Sequence, residues 1–155
     1  MNALYTVFPF GNSVSVVKVT GAQLLEALEA SCSAAPAALG GFPQVSGIVF
    51  TVDTSVPYVN GMQYPDSTYF APAAPGSRVT ISSVGGRDFS LTDSYYIAVN
   101  NFMADGGDTY YIFTQAQEVI DTGVIDAEGL ISYVDSLGGV IGEAYAAPKG
   151  NITIK

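Results

Sequence analysis

The sequence predicts a single α+β domain, a mixed β-sheet packed by helices, spanning residues 1–155. Three observations lead there. Strand-like and helix-like segments are intermixed without a strict βαβ rhythm. No internal repeat and no linker interrupts the chain. At 155 residues there is room for one domain with a substantial core and too little for two ordinary ones.

The elements can be placed in order. Ser13 to Val19 alternates toward a β-branched run and reads as a strand. Thr20 supplies a helix N-cap, and Leu24, Leu25 and Leu28 follow at helical spacing, with Glu26 and Glu29 on the other side. The helix should stop near Cys32, before the Ala/Pro/Gly stretch 34–41. Gly47 to Thr54 is a second strand. Arg78 to Val84 and Tyr95 to Asn100 are two more, with the Gly85-Gly86-Arg87-Asp88 break closing a turn between them. Asp126 is expected to cap a helix over 127–137 that Gly138-Gly139 ends, and 151–155 a short last strand. The segment 57–77, rich in Pro, Gly, Tyr and Asn, is long for a structureless loop, so it is an elaborated surface loop or a lid. Tyr58, Tyr64, Tyr69 and Phe70 there are expected to cover the sheet; lining a substrate mouth is the alternative.

Composition excludes several chemistries. There is no histidine and one cysteine, so Ser-His-Asp and Cys-His nucleophiles and the usual His/Cys zinc sites cannot be assembled within this chain. An intramolecular disulfide is excluded too, and Cys32 reads as a small core residue. No EF-hand calcium loop is visible. The net charge is −9 and the five cations are scattered, which argues against a nucleic-acid polymer as partner. No stretch has the length and apolarity of a membrane span. Charged residues are 12% of the chain, about half the usual share, and Gly, Ser, Thr, Asn and Tyr replace them, as is common in exported proteins. The opening reads as structured from Leu4 onward with no signal peptide, as if the start were a cut, with any export signal upstream.

Two segments carry candidate binding chemistry. Asn100 to Asp108 (NNFMADGGD) follows a strand; its paired Gly106 and Gly107 permit positive φ and close approach to backbone, and Asp108 at the rim can accept two hydrogen bonds from neighbouring hydroxyls. Phe102 can offer a flat face to a heterocycle. On spacing alone the ordinary turn is favoured, with Asp108 satisfying backbone amides and Phe102 in the core. Gly40 to Gly47 (GGFPQVSG) leads into a strand, and its Phe42 is either a core anchor or one half of an aromatic clamp.

Taken together these segments resemble a family. Pro9-Phe10-Gly11-Asn12 followed by Thr20-Gly21-Ala22-Gln23-Leu24, then Gly41-Phe42-Pro43-Gln44-Val45-Ser46-Gly47, then Asn101 to Asp108, are similar in order and separation to the PFGN/TGAQL, GxFxQVSG and GGD segments of 5'-nucleotidase C-terminal domains. That family spans 5'-nucleotidases, UDP-sugar hydrolases and 2',3'-cyclic phosphodiesterases. The resemblance implies a substrate-binding domain of that fold, in which Phe42 and Phe102 form the faces of a clamp on the base. It implies that Asp108 accepts the ribose hydroxyls, and that Gly106 and Gly107 shape the turn that presents it. It further implies a nucleoside or nucleotide ligand, and an N-terminal metallophosphatase domain elsewhere in the parent chain that carries two divalent metal ions and the catalytic groups. No catalytic or metal-ligating residue is then expected in this chain, and no cofactor.

The family's Asn-Gly-Gly-Gly-Ile-Arg segment, normally upstream of PFGN, is not present here, so the domain is expected to be partial and the chain inactive alone. The parent is expected to be exported, to a periplasmic, cell-wall or extracellular location. The alternative is a non-catalytic ligand-binding or cell-surface structural module of the same fold. A missing upstream strand would leave a sheet edge unpaired, which predicts a homodimer or strand exchange.

Overall fold

The computed structural model of the chain describes residues 2–155. It opens with a short helix, α1 (Asn2–Val7), and Gly11 at φ +63° turns the chain into strand β1 (Ser13–Thr20). Ser15, Val17 and Val19 of β1 are buried and the residues between them half-buried, the alternation that a strand with one covered face requires.

Thr20 caps helix α2 (Gly21–Ser31) as predicted, and Gln23 completes a capping box. The Thr20 hydroxyl accepts from the Gln23 amide at 3.2 Å, and the Gln23 side chain accepts from the Thr20 amide at 2.9 Å. Gly21 is required for a steric reason: a Cβ there would fall 2.0 Å from the Ser90 carbonyl oxygen, where the loop at Ser90 and Leu91 crosses the start of the helix. Leu24, Leu25, Ala27 and Leu28 are buried, and Cys32 forms the C-cap. Cys32 is fully buried, which pushes its thiol up to about 12.

After α2 come β2 (Ile48–Val52), β3 (Asn60–Gln63), β4 (Phe70–Pro72), β5 (Val79–Val84), β6 (Arg87–Asp88) and β7 (Ser94–Asn100). A one-turn helix α3 (Asn101–Ala104) and a 3-10 turn (Tyr111–Gln115) follow, then β8 (Glu118–Ile125), α4 (Asp126–Ser136), a second 3-10 turn (Glu143–Tyr145) and β9 (Ile152–Ile154).

The predicted α+β architecture holds, and its strands fall into three sheets. One is antiparallel, in the order β7-β1-β8. The mixed pairing lies in the second, β6-β5-β2-β9, where β9 runs parallel to β2 and the other pairs are antiparallel. The third is the β3-β4 hairpin. Helix α2 contacts β1, β5 and β4, so one core joins the sheets: Val17 and Val19 from β1, Leu24 and Leu28 from α2, Phe50 and Val52 from β2, Val79 and Ile81 from β5.

Residues 57–77, expected as an elaborated loop or a lid, contain the hairpin, and its Tyr64 packs toward α2. Three expectations need correction. Glu26 and Glu29 do not lie on an open helix face. Glu29 is 1% exposed, and its carboxylate accepts from the Gly76 amide, the Ser77 hydroxyl at 2.6 Å and the Arg78 amide at 3.3 Å. Arg78 precedes β5 instead of opening it; its buried guanidinium donates to the carbonyls of Ser33 at 2.9 Å and Ala35 at 2.8 Å. At α4 the N-cap position is Ile125, and Asp126 is the first residue of the helix.

Candidate functional site

The site grows from the end of β7. Asn100 is the N-cap of α3, its side chain accepting from the Met103 amide at 2.8 Å. Asn101 turns back, and its side-chain oxygen accepts from the Ser13 amide at 3.0 Å, which ties the loop to the start of β1. These two asparagines fix where α3 begins, and thereby where Phe102 emerges.

Phe102 is 48% exposed, so it is not a core residue. Its ring lies across the backbone of Gly107: a Cβ there would fall 2.4–2.6 Å from three of the ring carbons. The Gly107 amide also donates to the Phe102 carbonyl at 2.8 Å. Gly106 answers a different need. It sits at φ +86°, and a Cβ on it would meet Thr114 Cγ2 at 2.7 Å and Tyr111 Cα at 3.2 Å. The paired glycines are therefore not interchangeable. Gly106 sets the turn, and Gly107 makes room for an aromatic face.

Asp108 has φ +50°, a left-handed conformation uncommon outside glycine and tolerated best by Asn and Asp. Its carboxylate takes no hydrogen bond from another described residue, so it is not occupied by backbone amides. Such a carboxylate, half-buried at the rim of a turn, keeps its acceptor positions for an incoming donor.

The second aromatic segment meets this loop at Gly41. A Cβ on Gly41 would lie 3.3 Å from Asp108 Cβ and 3.5 Å from Asp108 Oδ2. The Tyr110 hydroxyl donates to the Gly41 carbonyl at 2.8 Å, and burial pushes that hydroxyl up to about 12. The backbone at Gly41, one residue before Phe42, is thus held close to Asp108. The Phe42 ring is half-buried and rests on the core. Neither Phe42 nor Phe102 is paired with another ring among the described residues.

Of the five residues singled out from the sequence, Phe102, Gly106, Gly107 and Asp108 share one turn, and Phe42 is joined to it only through its neighbour Gly41, which lies close to Asp108. What sequence reasoning missed is the set that joins them. Gly41, Tyr110 and the two asparagines carry the geometry, and the glycine pair at 40–41 was the one local signal for it. Among the described residues no group of three His, Cys, Asp or Glu side chains is placed to hold a metal ion, and no helix is long and apolar enough to cross a membrane.

Comparison with known proteins gives this geometry a context. The sequence model described as 5'-nucleotidase, C-terminal domain, matches residues 1–115. The chain is 34% identical over 143 residues to the trifunctional nucleotide phosphoesterase protein YfkN of Bacillus subtilis, covering 89% of this chain and 9% of that protein. It is 30% identical over 149 residues to a 5'-nucleotidase of Vibrio cholerae, covering 96% of this chain and 23% of that protein. Among solved structures, a 5'-nucleotidase precursor from Thermus thermophilus superposes with a TM-score of 0.75 at 32% identity, over 97% of this chain and 27% of that one. The chain therefore spans about a quarter or less of these relatives. From Phe42 to Asp108 the site lies within the matched region, and the chain belongs to the 5'-nucleotidase C-terminal domain family.

Proposed function

We propose that this chain is the nucleoside-holding domain of an exported, metal-dependent 5'-nucleotidase-type phosphohydrolase, and that it has no hydrolytic activity by itself. The observation that supports the reading is the close approach of Gly41, the neighbour of Phe42, to Asp108, reinforced by the Tyr110 hydrogen bond, because it joins the two aromatic-bearing segments next to a carboxylate that no described residue occupies.

In this reading the rings of Phe42 and Phe102 stack on the two faces of the base, each contact contributing roughly 1–3 kcal/mol with little preference among bases. Asp108 accepts hydrogen bonds from the ribose hydroxyls; two charge-assisted bonds donated to one carboxylate discriminate against sugars that lack a neighbouring hydroxyl pair. The scissile phosphate is left to a metallophosphatase domain carrying two divalent metal ions, which activate water and neutralise the phosphate. This chain's residues bind and orient the nucleoside, which is the leaving group; they move no proton and do not touch the scissile phosphate. The low charge and tyrosine-rich composition support the exported location.

Titration calorimetry with adenosine and AMP tests the binding step, with Phe102→Ala expected to abolish the heat seen with the wild-type chain. The decisive measurement is on the full-length parent loaded with metal. A parent that hydrolyses no nucleotide or nucleotide-sugar would overturn the enzyme reading and favour a non-catalytic module of the same fold.

The same proposal includes self-association. Strand β8 is an edge, with Val119 51% exposed and Ile120 and Val124 also open to solvent, and a second copy can pair there. A monomeric mass by light scattering at high concentration would remove this part.

A further inference from the structure

The β3-β4 hairpin is attached to α2 at two places. Near its tip, the Tyr64 hydroxyl donates to Glu26 Oε1 at 3.2 Å. Beyond its second strand, Gly76, Ser77 and Arg78 converge on Glu29. Tyr64 is 3% exposed although it belongs to the excursion between two sheets, and a side chain so deeply covered has a surface to cover in return.

That surface is Tyr111. The two rings lie 5.2 Å apart, centre to centre, at 32°. Tyr111 in turn stands against the candidate site, its Cα 3.2 Å from where a Cβ on Gly106 would be. The path is short: Glu26 holds Tyr64, Tyr64 faces Tyr111, and Tyr111 backs the turn that presents Asp108. Asp108 holds a left-handed φ, and its carboxylate is not tied down by any described residue. A turn of that kind keeps its shape through what is packed behind it.

We infer that the hairpin is a positioning device for the ligand-binding turn, and that Tyr64 is its positioning residue, acting through Tyr111 on Gly106 to Asp108. The inference rests on the nucleoside-binding reading for its consequence but not for its mechanics. Ring-on-ring contact carries the coupling; the hydroxyl bond to Glu26 is one of two fastenings of the hairpin to α2 and is not needed for it. Loss of the ring frees the turn, so the price in ligand affinity is paid by a residue that never touches ligand.

Two measurements on Tyr64→Leu and Tyr64→Phe test it. Amide hydrogen exchange of the unliganded chain should show the Gly107 and Tyr110 amides exchanging about tenfold faster in Tyr64→Leu, with Val17 and Ile97 in β1 and β7 unchanged. Tyr64→Phe should exchange like wild type. Adenosine affinity should fall about fivefold to tenfold in Tyr64→Leu and be restored in Tyr64→Phe. If Tyr64→Leu does not fold, Tyr111→Leu removes the same contact from its more exposed side and must give the same local acceleration. Unchanged exchange at Gly107 and Tyr110 in the folded variant overturns the inference whatever happens to binding. Faster exchange in a chain that binds no adenosine supports the coupling and counts against the nucleoside reading alone.

Discussion

The Tyr110 hydroxyl reaches across 69 positions of sequence to the Gly41 carbonyl, 2.8 Å away. Both partners are buried, so neither has water to fall back on. Tyr110→Phe deletes the donor and leaves the acceptor unmet, which should cost about 1–3 kcal/mol. Denaturant unfolding reads that as a lower midpoint at unchanged slope. Because the bond fixes Gly41, the residue before Phe42, close to Asp108, adenosine affinity should fall as well, which a purely global loss of stability in a still-folded chain would not produce.

Gly107→Ala separates the two glycines of the turn. The added methyl would sit inside the Phe102 ring, so the ring must swing away. The expected result is loss of nucleoside binding with a stability cost of roughly 1–3 kcal/mol. Gly106→Ala meets the Thr114 methyl and a positive φ together, so it should destabilise the fold more than Gly107→Ala does. Thermal melts of the two variants side by side decide the order.

How much of this was legible follows from which forces are local. The capped helix at Thr20 and the stop at Gly138-Gly139 were readable because caps and turns act within a few residues. So was membership of the family, since the segments that hold Phe42, Phe102 and Asp108 carry its pattern. The hairpin was not readable: Asn60, Gly61 and Gln63 have no strand alternation, and the pair is held by α2 instead of by its own sequence. Strand β8 escaped for a related reason. Seven of its eight residues are exposed, so it shows no apolar face, and its place is dictated by β1 alone. Glu29 misled because a charge at helical spacing normally faces water, and only the approach of 76–79 makes its burial tolerable.

Glu29→Ala would strip the acceptor from the Gly76 and Arg78 amides and the Ser77 hydroxyl at once. Several buried donors left unmet make this the most damaging single change here, about 3 kcal/mol or more. Glu29→Gln keeps one oxygen and should fall between. Urea unfolding of both variants gives the ranking.

Burial raises the Glu26 carboxyl above its ordinary value, and the Tyr64 hydrogen bond only partly opposes this. An acid with a raised folded pKa stays protonated in the folded chain where the unfolded chain has already lost its proton. Its contribution to stability therefore declines as pH rises from the ordinary glutamate range through the raised value. Glu26→Gln, which can still accept from Tyr64, should be more stable than wild type at about pH 8 and lose that advantage by about pH 4. Melting curves of the pair at both pH values check the sign.

The lone thiol offers a way to watch the molecule open. Cys32 caps α2 in the middle of the core, and burial holds it in the protonated, unreactive form. An alkylating reagent added in excess cannot modify it until α2 has parted from the sheets. The modification rate then counts excursions of the entire core, with no label to attach and no second cysteine to confuse the signal. Loosening at Gly107 that leaves Tyr110 seated on the core would not uncover the thiol, and the protein carries its own means of telling such local motion from global.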